Sequence, residues 1–249
     1  MAKLNEKVAI VTGASKGIGA AIAAAIAKEG AAVAVNYASD REGAEKTVKQ
    51  ISNAGGKAVA VQGNVERGED AERIVKTTIE AFGRLDILVN NAGVHKFAPV
   101  EDFTEDDFHT IFNINVLGPL LMIRAASFHL GEGASVINIS SAVTSALPPA
   151  SAVYTGSKAA IDAMTGVLAA ELGPRKIRIN AINPGMTDTE GNRAAGIIGS
   201  ARANAAVDLT PLRRVGTPTD IASVAVFLAS DDARWVTGER LTVSGGLRR

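Results

Sequence analysis

The chain has 249 residues, of which 47% are hydrophobic, and its 26 basic and 26 acidic residues give a formal net charge of zero. This length suits one large α/β domain, and the lack of a basic stripe argues against nucleic acid and membrane surfaces as partners. The sequence has no cysteine, which excludes disulfides, zinc–thiolate sites and thiol nucleophiles, and its three histidines form no H-x-x-x-H pair. We therefore expect no metal site.

Two further features indicate the compartment. The first seven residues are charged and precede only a very short apolar run, so we expect no secretory signal. The longest uncharged run, Gly133–Ser157, contains Pro148-Pro149 and repeated serines, and it would not hold as a membrane-spanning helix. The sequence therefore predicts a soluble, cytoplasmic protein.

The first strand, predicted over Lys7–Val11, runs into a glycine-rich turn and then into an alanine-rich helix from about Ile18 to Glu29. Gly13, Gly17 and Gly19 give the spacing Gly-x-x-x-Gly-x-Gly. A strand, glycine turn and helix in this order aim backbone N–H groups and a helix N-terminus at phosphate. The alternative is that the glycines only permit tight packing.

A second strand, predicted over Ala32–Tyr37, bears on the choice of dinucleotide. An enzyme that selects NAD usually has an acidic residue at this strand end, to bind the ribose 2′-hydroxyl. Here no acid comes before Asp40, whereas Lys16, Ser39 and Arg41 offer donors for a 2′-phosphate. The pattern favours NADP, unless both cations are simply solvated surface residues.

Strands and helices then alternate to the end of the chain, which predicts a parallel sheet with right-handed crossovers and helices on both faces. We expect a single domain over residues 1–249, with a mobile substrate lid at about 186–208, where periodicity is weak. The remaining predicted helices are Glu42–Ala54, Glu66–Phe82, Phe103–Leu130, Tyr154–Leu172 and Pro218–Leu228, and the remaining predicted strands are Lys57–Gln62, Asp86–Val89, Ala134–Ile139, Lys176–Ala181 and Glu239–Val243.

The long helix over Phe103–Leu130 carries signs of an interruption. Pro119 removes one helical hydrogen bond, and the amide of nearby Asn115 could hold a water at that point. The alternative is that Asn115 is a local hydrogen-bonding residue. Thr104 and Asp107 have the spacing of a capping box at the start of the helix.

Ser141, Tyr154 and Lys158 form the candidate catalytic set. Tyr154 and Lys158 share a helix face, and a cation beside a phenol lowers its pKa from about 10 towards neutrality, so Tyr154 becomes a usable acid and base. Ser141 follows a predicted strand at the edge where ligands bind in open parallel sheets, and its hydroxyl can stabilise charge on a carbonyl oxygen. Taken alone, a Tyr-x-x-x-Lys pair is most often structural.

Together, the motifs resemble the short-chain dehydrogenase/reductase family over essentially the whole chain. The resemblance implies a seven-stranded Rossmann sheet, usually a homotetramer packed through the two long helices, and hydride transfer between nicotinamide C4 and a carbonyl or alcohol carbon. The motifs that carry it are Thr12-Gly13-x-x-x-Gly17-x-Gly19, Asn90-Asn91-Ala92-Gly93, Asn115, Ser141, Tyr154-x-x-x-Lys158 and Pro184-Gly185.

The resemblance also implies residue roles. Tyr154 is the acid in reduction and the base in oxidation, and Lys158 lowers its pKa and binds the nicotinamide ribose. Ser141 orients the substrate oxygen, and Asn115 holds a proton-relay water. The expected NADP(H) contacts are Gly13, Ser15, Lys16, Gly17, Ile18, Gly19, Asn36, Tyr37, Ala38, Ser39, Arg41, Asn64, Val65, Asn91, Ala92, Gly93, Tyr154, Lys158, Pro184, Gly185, Met186, Thr187 and Thr189, the last at the carboxamide.

Three functions stay open, with NADPH-dependent reduction of a small ketone first. Asn64 and Ser244 replace aspartates that are common in relatives, but neither touches the chemistry. The chain resembles the branch with 3-oxoacyl-[acyl-carrier-protein] reductases, glucose dehydrogenases and fungal naphthol reductases, yet Gly133-Ala134-Ser135 lacks an arginine for an acidic carrier. A carrier-protein reductase is therefore second, and a non-catalytic NADP(H) sensor is a remote third.

The expected substrate pocket is lined by residues near 94–97, 143–153 and the lid. These residues are mostly apolar or small, which suggests an uncharged substrate.

Overall fold

Seven short runs of mainly apolar residues pair in parallel to form one sheet. The computed structural model describes residues 2–247, without the side chain of Arg202, so residue 1 and residues 248–249 of the predicted domain lie outside the described residues. The sheet order is β3-β2-β1-β4-β5-β6-β7, which confirms the predicted seven-stranded parallel sheet. Its strands are β1 (Val8–Val11), β2 (Ala32–Tyr37), β3 (Lys57–Gln62), β4 (Leu85–Asn90), β5 (Leu130–Ile139), β6 (Arg178–Pro184) and β7 (Arg240–Val243).

Helices cover both faces of the sheet, as predicted for a Rossmann fold. Alternate strand residues point to opposite faces, so Ala9 and Val11 of β1 lie in one hydrophobic cluster and Ile10 lies in the other. The helices are α1 (Gly17–Lys28), α2 (Arg41–Asn53), α3 (Gly68–Phe82), α4 (Glu105–Phe112), α5 (Gly118–Ser127), α6 (Val143–Ala146), α7 (Ala152–Leu172), α8 (Glu190–Ala194), α9 (Ala201–Leu209) and α10 (Pro218–Ala229).

The strand order reverses between β1 and β4, which are neighbours in the middle of the sheet. One half of the chain winds outward from β1 through β2 to β3, and the other half winds outward from β4 through β5 and β6 to β7. The connections that follow β1 and β4 therefore lead to opposite halves of the sheet, and a crevice forms at the carboxyl ends of the strands. This crevice positions the site described below.

The predicted helix over Phe103–Leu130 is divided into α4, a π-helical turn at Asn113–Leu117 and α5. The Gly118 N–H bonds to the Asn113 carbonyl, five residues earlier, where an α-helix would bond four residues back. Pro119 lies at the start of α5, where a missing N–H costs little. The predicted interruption and the capping box of Thr104 and Asp107 are thus both present.

The sequence predicted that this helical region ends at Leu130, which is too late. α5 ends at Ser127, and β5 begins at Leu130 rather than at the predicted Ala134. The register of β4 against β5 shifts between Leu85 and Ile87, which lengthens β5 beyond its regular pairing. By length and composition alone Glu105–Ser127 would also suit a membrane span. The same property is typical of a core helix, and Met122 and Ile123 of α5 pack into one of the two hydrophobic clusters.

The predicted lid segment, residues 186–208, contains regular structure. Thr189 caps α8 by accepting a hydrogen bond from the Asn192 N–H, and Ser200 caps α9 by accepting one from the Ala203 N–H. Thr187 forms a β-bridge with Gly216, which ties the start of the segment to the chain that follows it. The weak apolar periodicity of the segment reflects two short helices separated by glycines. That the segment moves as a lid stays a prediction.

Candidate functional site

A cleft of about 520 Å³ lies at the carboxyl edge of the sheet and is lined by the loops that follow β1, β2, β3, β4, β5 and β6. This volume lies within the range of small-molecule sites. Among the predicted site residues, Arg41, Asn115 and Met186 do not line it. Those that do are Gly13, Ser15, Lys16, Gly17, Ile18, Gly19, Asn36, Tyr37, Ala38, Ser39, Asn64, Val65, Asn91, Ala92, Gly93, Ser141, Tyr154, Lys158, Pro184, Gly185, Thr187 and Thr189.

The glycine turn after β1 forms the middle of the cleft. Gly13 and Gly17 have φ angles of +60° and +59°, which favour glycine. A Cβ on Gly13 would lie 2.9 Å from the Ala92 Cα, so this glycine also permits close packing. The first turn of α1 has no acidic residue and no side-chain cap, which leaves N–H groups and a positive helix end at the cleft. The packing alternative is therefore confirmed for Gly13, and phosphate binding by the turn stays a prediction.

One of these N–H groups already faces an anion of the chain itself. The Gly17 N–H donates to Glu190 Oε2 at 3.0 Å, and Glu190 lies in the first turn of α8. The contact shows that a negatively charged oxygen fits the N-terminus of α1. It also connects the predicted lid to the glycine turn.

Thr12 and Asn91 fix the loop after β4 against the glycine turn. The Thr12 hydroxyl accepts hydrogen bonds from the N–H groups of Asn91 and Ala92, both at 3.0 Å. In return, Asn91 Nδ2 donates to the carbonyls of Thr12 and Gly13 at 2.9 and 3.0 Å. The central floor of the cleft is therefore held by four hydrogen bonds between two segments that are far apart in the sequence.

Two asparagines of the cleft wall use their amides within the protein. Asn36 accepts from the Gly13 N–H, and its Nδ2 donates to the carbonyls of Val61 and Gly63. Asn64 Nδ2 donates to Glu66 Oε1 at 2.7 Å. Both residues line the cleft as predicted, but Asn36 uses both of its amide N–H groups within the protein, whereas Asn64 uses one of its two.

The three polar residues on which the NADP prediction depends are not equivalent. Lys16 lines the cleft with Ser39, and its Nζ lies 3.4 Å from Asp40 Oδ2. The pKa of the Asp40 carboxyl group is lowered mainly by the hydrogen bond that it accepts from the Gly43 N–H. Ser15 and Lys16 lower it further. Arg41 instead donates to Glu45 Oε1 at 2.8 Å along α2. Arg41 does not line the cleft in the cofactor-free chain, and its expected contact with the cofactor stays a prediction.

Ser141, Tyr154 and Lys158 come together at the end of β5. The Tyr154 hydroxyl is hydrogen-bonded to Ser141. Lys158 Nζ donates to the Ile139 carbonyl at 2.9 Å and lies 6.0 Å from the centre of the Tyr154 ring. The Ser140 hydroxyl donates to the Lys158 carbonyl at 3.1 Å, so α7 is attached to β5 beside the predicted catalytic set.

Burial controls the ionisation of this set. It raises the pKa of the Tyr154 phenol, and the hydrogen bond with Ser141 opposes this shift only in part. Burial also lowers the pKa of Lys158 to about 8, against the charge of Asp162. The expected net fall in the Tyr154 pKa is wrong for the cofactor-free chain, because desolvation of the phenolate outweighs the stabilisation that a nearby ammonium gives it. Tyr154 is therefore protonated at neutral pH.

Asn115 lies behind the cleft, in the π-helical turn. Its Nδ2 donates to the Val94 carbonyl at 2.9 Å and to Ser157 Oγ at 3.0 Å, and its Oδ1 accepts from the Val94 N–H. Ser157 in turn donates to the Tyr154 carbonyl at 2.7 Å. The expected water therefore finds no free N–H on this amide. Asn115 instead connects the loop after β4 to the helical turn that carries Tyr154.

Sequence reasoning included His95 only within a range of pocket residues. In the structure it lines the cleft, and its ring centre lies 5.8 Å from that of Tyr154 and 5.9 Å from that of Phe97. Partial burial lowers the pKa of His95 and the charge of Lys158 adds to this effect, so the ring is neutral at pH 7. Its position two residues after the Asn-Asn-Ala-Gly turn was the signal in the sequence that could have identified it. Other lining residues outside the predicted set are Asp40, Gly63, Val94, Ile114, Ile139, Ser140, Gly191 and Asn192.

Known proteins resemble this chain over nearly its whole length. A family model described as enoyl-(acyl carrier protein) reductase matches residues 13–248. An uncharacterized oxidoreductase of Methylorubrum extorquens is 59% identical over 100% of both chains. Versicolorin reductase of Emericella nidulans is 42% identical over 99% of this chain and 97% of its own length.

A solved structure shares both the fold and the sequence. It is a short-chain dehydrogenase from Burkholderia cenocepacia in complex with NADP, with a TM-score of 0.93 and 38% identity over 98% of this chain and 99% of its own. This agreement confirms the sequence resemblance and the Rossmann-type architecture.

The Thr12 contacts generate a testable prediction. Thr12→Val keeps the shape but leaves the N–H groups of Asn91 and Ala92 without their acceptor, so we expect a loss of about 1–3 kcal/mol in the free energy of unfolding. Thr12→Ser keeps the hydroxyl and serves as the matched control, with most of the stability retained. Urea unfolding at one fixed protein concentration measures both. Equal losses in the two variants would show that the hydroxyl does not hold the loop.

Proposed function

Because the chain belongs to the short-chain dehydrogenase/reductase family of oxidoreductases, we propose that it reduces a ketone to a secondary alcohol, with NADPH as hydride donor and Tyr154 as proton donor. The observation that carries the proposal is the convergence of Ser141, Tyr154 and Lys158 on one end of a cleft whose middle is a glycine turn at a helix N-terminus. The versicolorin reductase relative supports the direction of the reaction by its name.

The cleft fits a dinucleotide by its shape and by its donors. From Ser39 and Asn64 at one end, it passes the glycine turn and reaches Tyr154 at the other. The turn has positive φ angles, no room for a Cβ at Gly13, and the N-terminus of α1 beside it, which suits a pyrophosphate. The cofactor, when bound, supplies a hydride from nicotinamide C4.

The proton side of the reaction is performed by the chain itself. As the carbonyl carbon gains the hydride, the electron pair of its C=O bond moves to oxygen, and that oxygen takes the proton of the Tyr154 hydroxyl. The Ser141 hydroxyl donates a hydrogen bond to the same oxygen as negative charge develops on it. The buried ammonium of Lys158 stabilises the phenolate that remains, because charges act strongly where water is excluded.

NADPH is favoured over NADH by the end of β2. Lys16 and Ser39 line the cleft there, and the carboxylate of Asp40 is engaged by the Gly43 N–H and by Lys16. A 2′-phosphate could take Lys16 from Asp40, since an exposed ion pair contributes little by itself. The NADP complex of the Burkholderia relative supports the same cofactor.

Reduction of 3-oxoacyl groups on an acyl carrier protein is the second candidate. The cations available for an acidic carrier near β5 are Arg175 and Lys176, and both have other partners. Arg175 donates to the carbonyls of Ser127 and Leu130, and Lys176 pairs with Glu132 at 2.6 Å. We therefore place the carrier-protein reaction below reduction of a free ketone, because both cations already have partners in the chain. A non-catalytic cofactor sensor comes last, because such a protein would not need the assembled catalytic residues.

We also propose a soluble, cytoplasmic homotetramer that packs through α4, α5 and α7. Apolar side chains are exposed on this side of the molecule, among them Phe103, Phe108 and Val167, and an apolar pocket of about 240 Å³ opens between α4 and the start of α7. Burial of such a surface in an oligomer is favourable. A solution mass of a single chain, measured by light scattering, would contradict the assembly.

Tyr154→Phe tests the proton donor. The variant keeps the ring packing of Tyr154 but has no proton to give, so we expect the turnover number for ketone reduction to fall about 10²- to 10⁴-fold. The dissociation constant of NADPH, followed by its fluorescence, is expected to change less than about threefold, because the ring still forms the cleft wall. Turnover that matches the wild-type chain would contradict the mechanism.

Lys16→Ala tests the choice of cofactor. Loss of a charge-assisted contact to the 2′-phosphate is worth about 1.5–3 kcal/mol, so the preference for NADPH over NADH in kcat/KM should fall at least about tenfold. Lys49→Ala is the matched control and should leave the preference unchanged, because Lys49 is an exposed cation of α2 that does not line the cleft. Equal or better use of NADH by the wild-type chain would overturn the proposed NADP specificity.

A further inference from the structure

Asp162 is a buried carboxylate that the proposed mechanism does not use. It lies on α7 one helical turn after Lys158, so the two side chains share a face of the helix. Asp162 is 8% exposed and Lys158 is 6% exposed. Acidic side chains are rarely buried to this degree unless they are paired or hydrogen-bonded.

The carboxylate is held by a single amide. Asn183, in β6 and 3% exposed, donates from Nδ2 to both carboxylate oxygens, at 3.2 and 3.0 Å. The same nitrogen lies 3.3 Å from the Ser141 carbonyl and 3.2 Å from Thr144 Oγ1. One NH₂ group has only two hydrogens, so these four acceptors share them. The Asp162 charge is therefore fixed in place but only partly compensated, beside the segment that carries Ser141.

Lys158 needs a negative charge nearby. Burial lowers its pKa to about 8, and Asp162 is the group whose charge opposes that shift. An amine with this pKa is mostly protonated at pH 7, and a further fall of about one unit would leave it half protonated. The other titratable groups that face Lys158 are Tyr154 on the same helix and His95 in the loop after β4. Both are neutral at pH 7, so neither replaces Asp162.

We propose that Asp162, held by Asn183, is a positioning residue that keeps the Lys158 ammonium charged and so sets the upper pH limit of the reaction. The inference rests on the proposed function, because it concerns the same tyrosine and lysine. Asp162 contacts neither the reacting atoms nor the cleft, and it acts only through its charge on Lys158. The charge of this carboxylate, rather than its shape, is therefore the property that the reaction requires.

Asp162→Asn removes the charge and keeps an oxygen that accepts from Asn183. Activity that requires the Lys158 ammonium is present at low pH and is lost as the pH rises through the Lys158 pKa, and removal of Asp162 lowers that pKa further. We expect the upper limb of the kcat/KM profile to move down by about one pH unit, with near wild-type activity at pH 6 and about a fivefold loss relative to the wild-type chain at pH 8. Asp162→Ser supplies a second uncharged variant if Asp162→Asn folds poorly.

Asp232→Asn is the matched control, since it removes the same charge from an exposed aspartate that pairs with Lys3. It should leave the pH profile where it is in the wild-type chain. An unshifted upper limb in the uncharged Asp162 variants would overturn the proposal, and so would an equal shift in Asp232→Asn.

A second measurement keeps this inference separate from the proposed function. The pKa of Lys158 can be followed by NMR in the cofactor-free protein with ¹³Cε-labelled lysine, and the signal is assigned by its loss in Lys158→Met. The midpoint should fall in Asp162→Asn and stay unchanged in Asp232→Asn. If no ketone supports NADPH oxidation, the proposed function fails while this measurement still decides the inference. An unchanged midpoint in Asp162→Asn would contradict the inference even if the enzyme is active.

Discussion

The site depends on the burial of one ammonium group. Lys158 is buried beside Gly93 of the loop after β4, and its Nζ donates to the Ile139 carbonyl. Removal of a charge from water is expensive unless other charges and dipoles compensate it. The surrounding structure supplies this compensation through the carbonyl end of β5 and, in our proposal, through the charge of Asp162. The same low-polarity environment keeps the Tyr154 phenol protonated.

Hydrogen bonds between the loops of the cleft hold the glycine turn close to the buried Lys158 and to Tyr154. Thr12 and Asn91 lock the loop after β4 onto the loop after β1, and Asn36 ties the loop after β3 to both β2 and the glycine turn. Asn115 then attaches the loop after β4 to the helical turn of Tyr154 through Ser157. Several polar side chains that were expected to contact the ligand thus bind neighbouring loops instead. The backbone of these loops forms the floor of the cleft, and the hydrogen bonds restrict its movement.

The sequence predicted the sheet and the cleft because their signals are local. Apolar runs, glycine spacing and strand–helix alternation are short-range patterns, and they identify β1, the glycine turn and α1 directly. The contacts of Asn115 were not accessible in this way, because its partner Val94 is fixed only by the three-dimensional arrangement. The pair of Arg41 with Glu45, by contrast, is four residues apart on one helix and could have been inferred from the spacing. The direction of the Tyr154 pKa shift was missed for the same reason as the contacts of Asn115. Proximity to Lys158 can be read from spacing, whereas burial depends on the whole packed structure.

The ionisation of Tyr154 in the cofactor-free chain tests the central claim most directly. The protein has two tyrosines, so NMR titration of ¹³Cζ-labelled tyrosine, with Tyr37→Phe for assignment, isolates the Tyr154 signal. The account predicts that Tyr154 stays protonated beyond the ordinary tyrosine value of about 10, because burial outweighs the hydrogen bond with Ser141. A Tyr154 that ionises near neutral pH without cofactor would contradict it and would show that Lys158 controls the phenol directly.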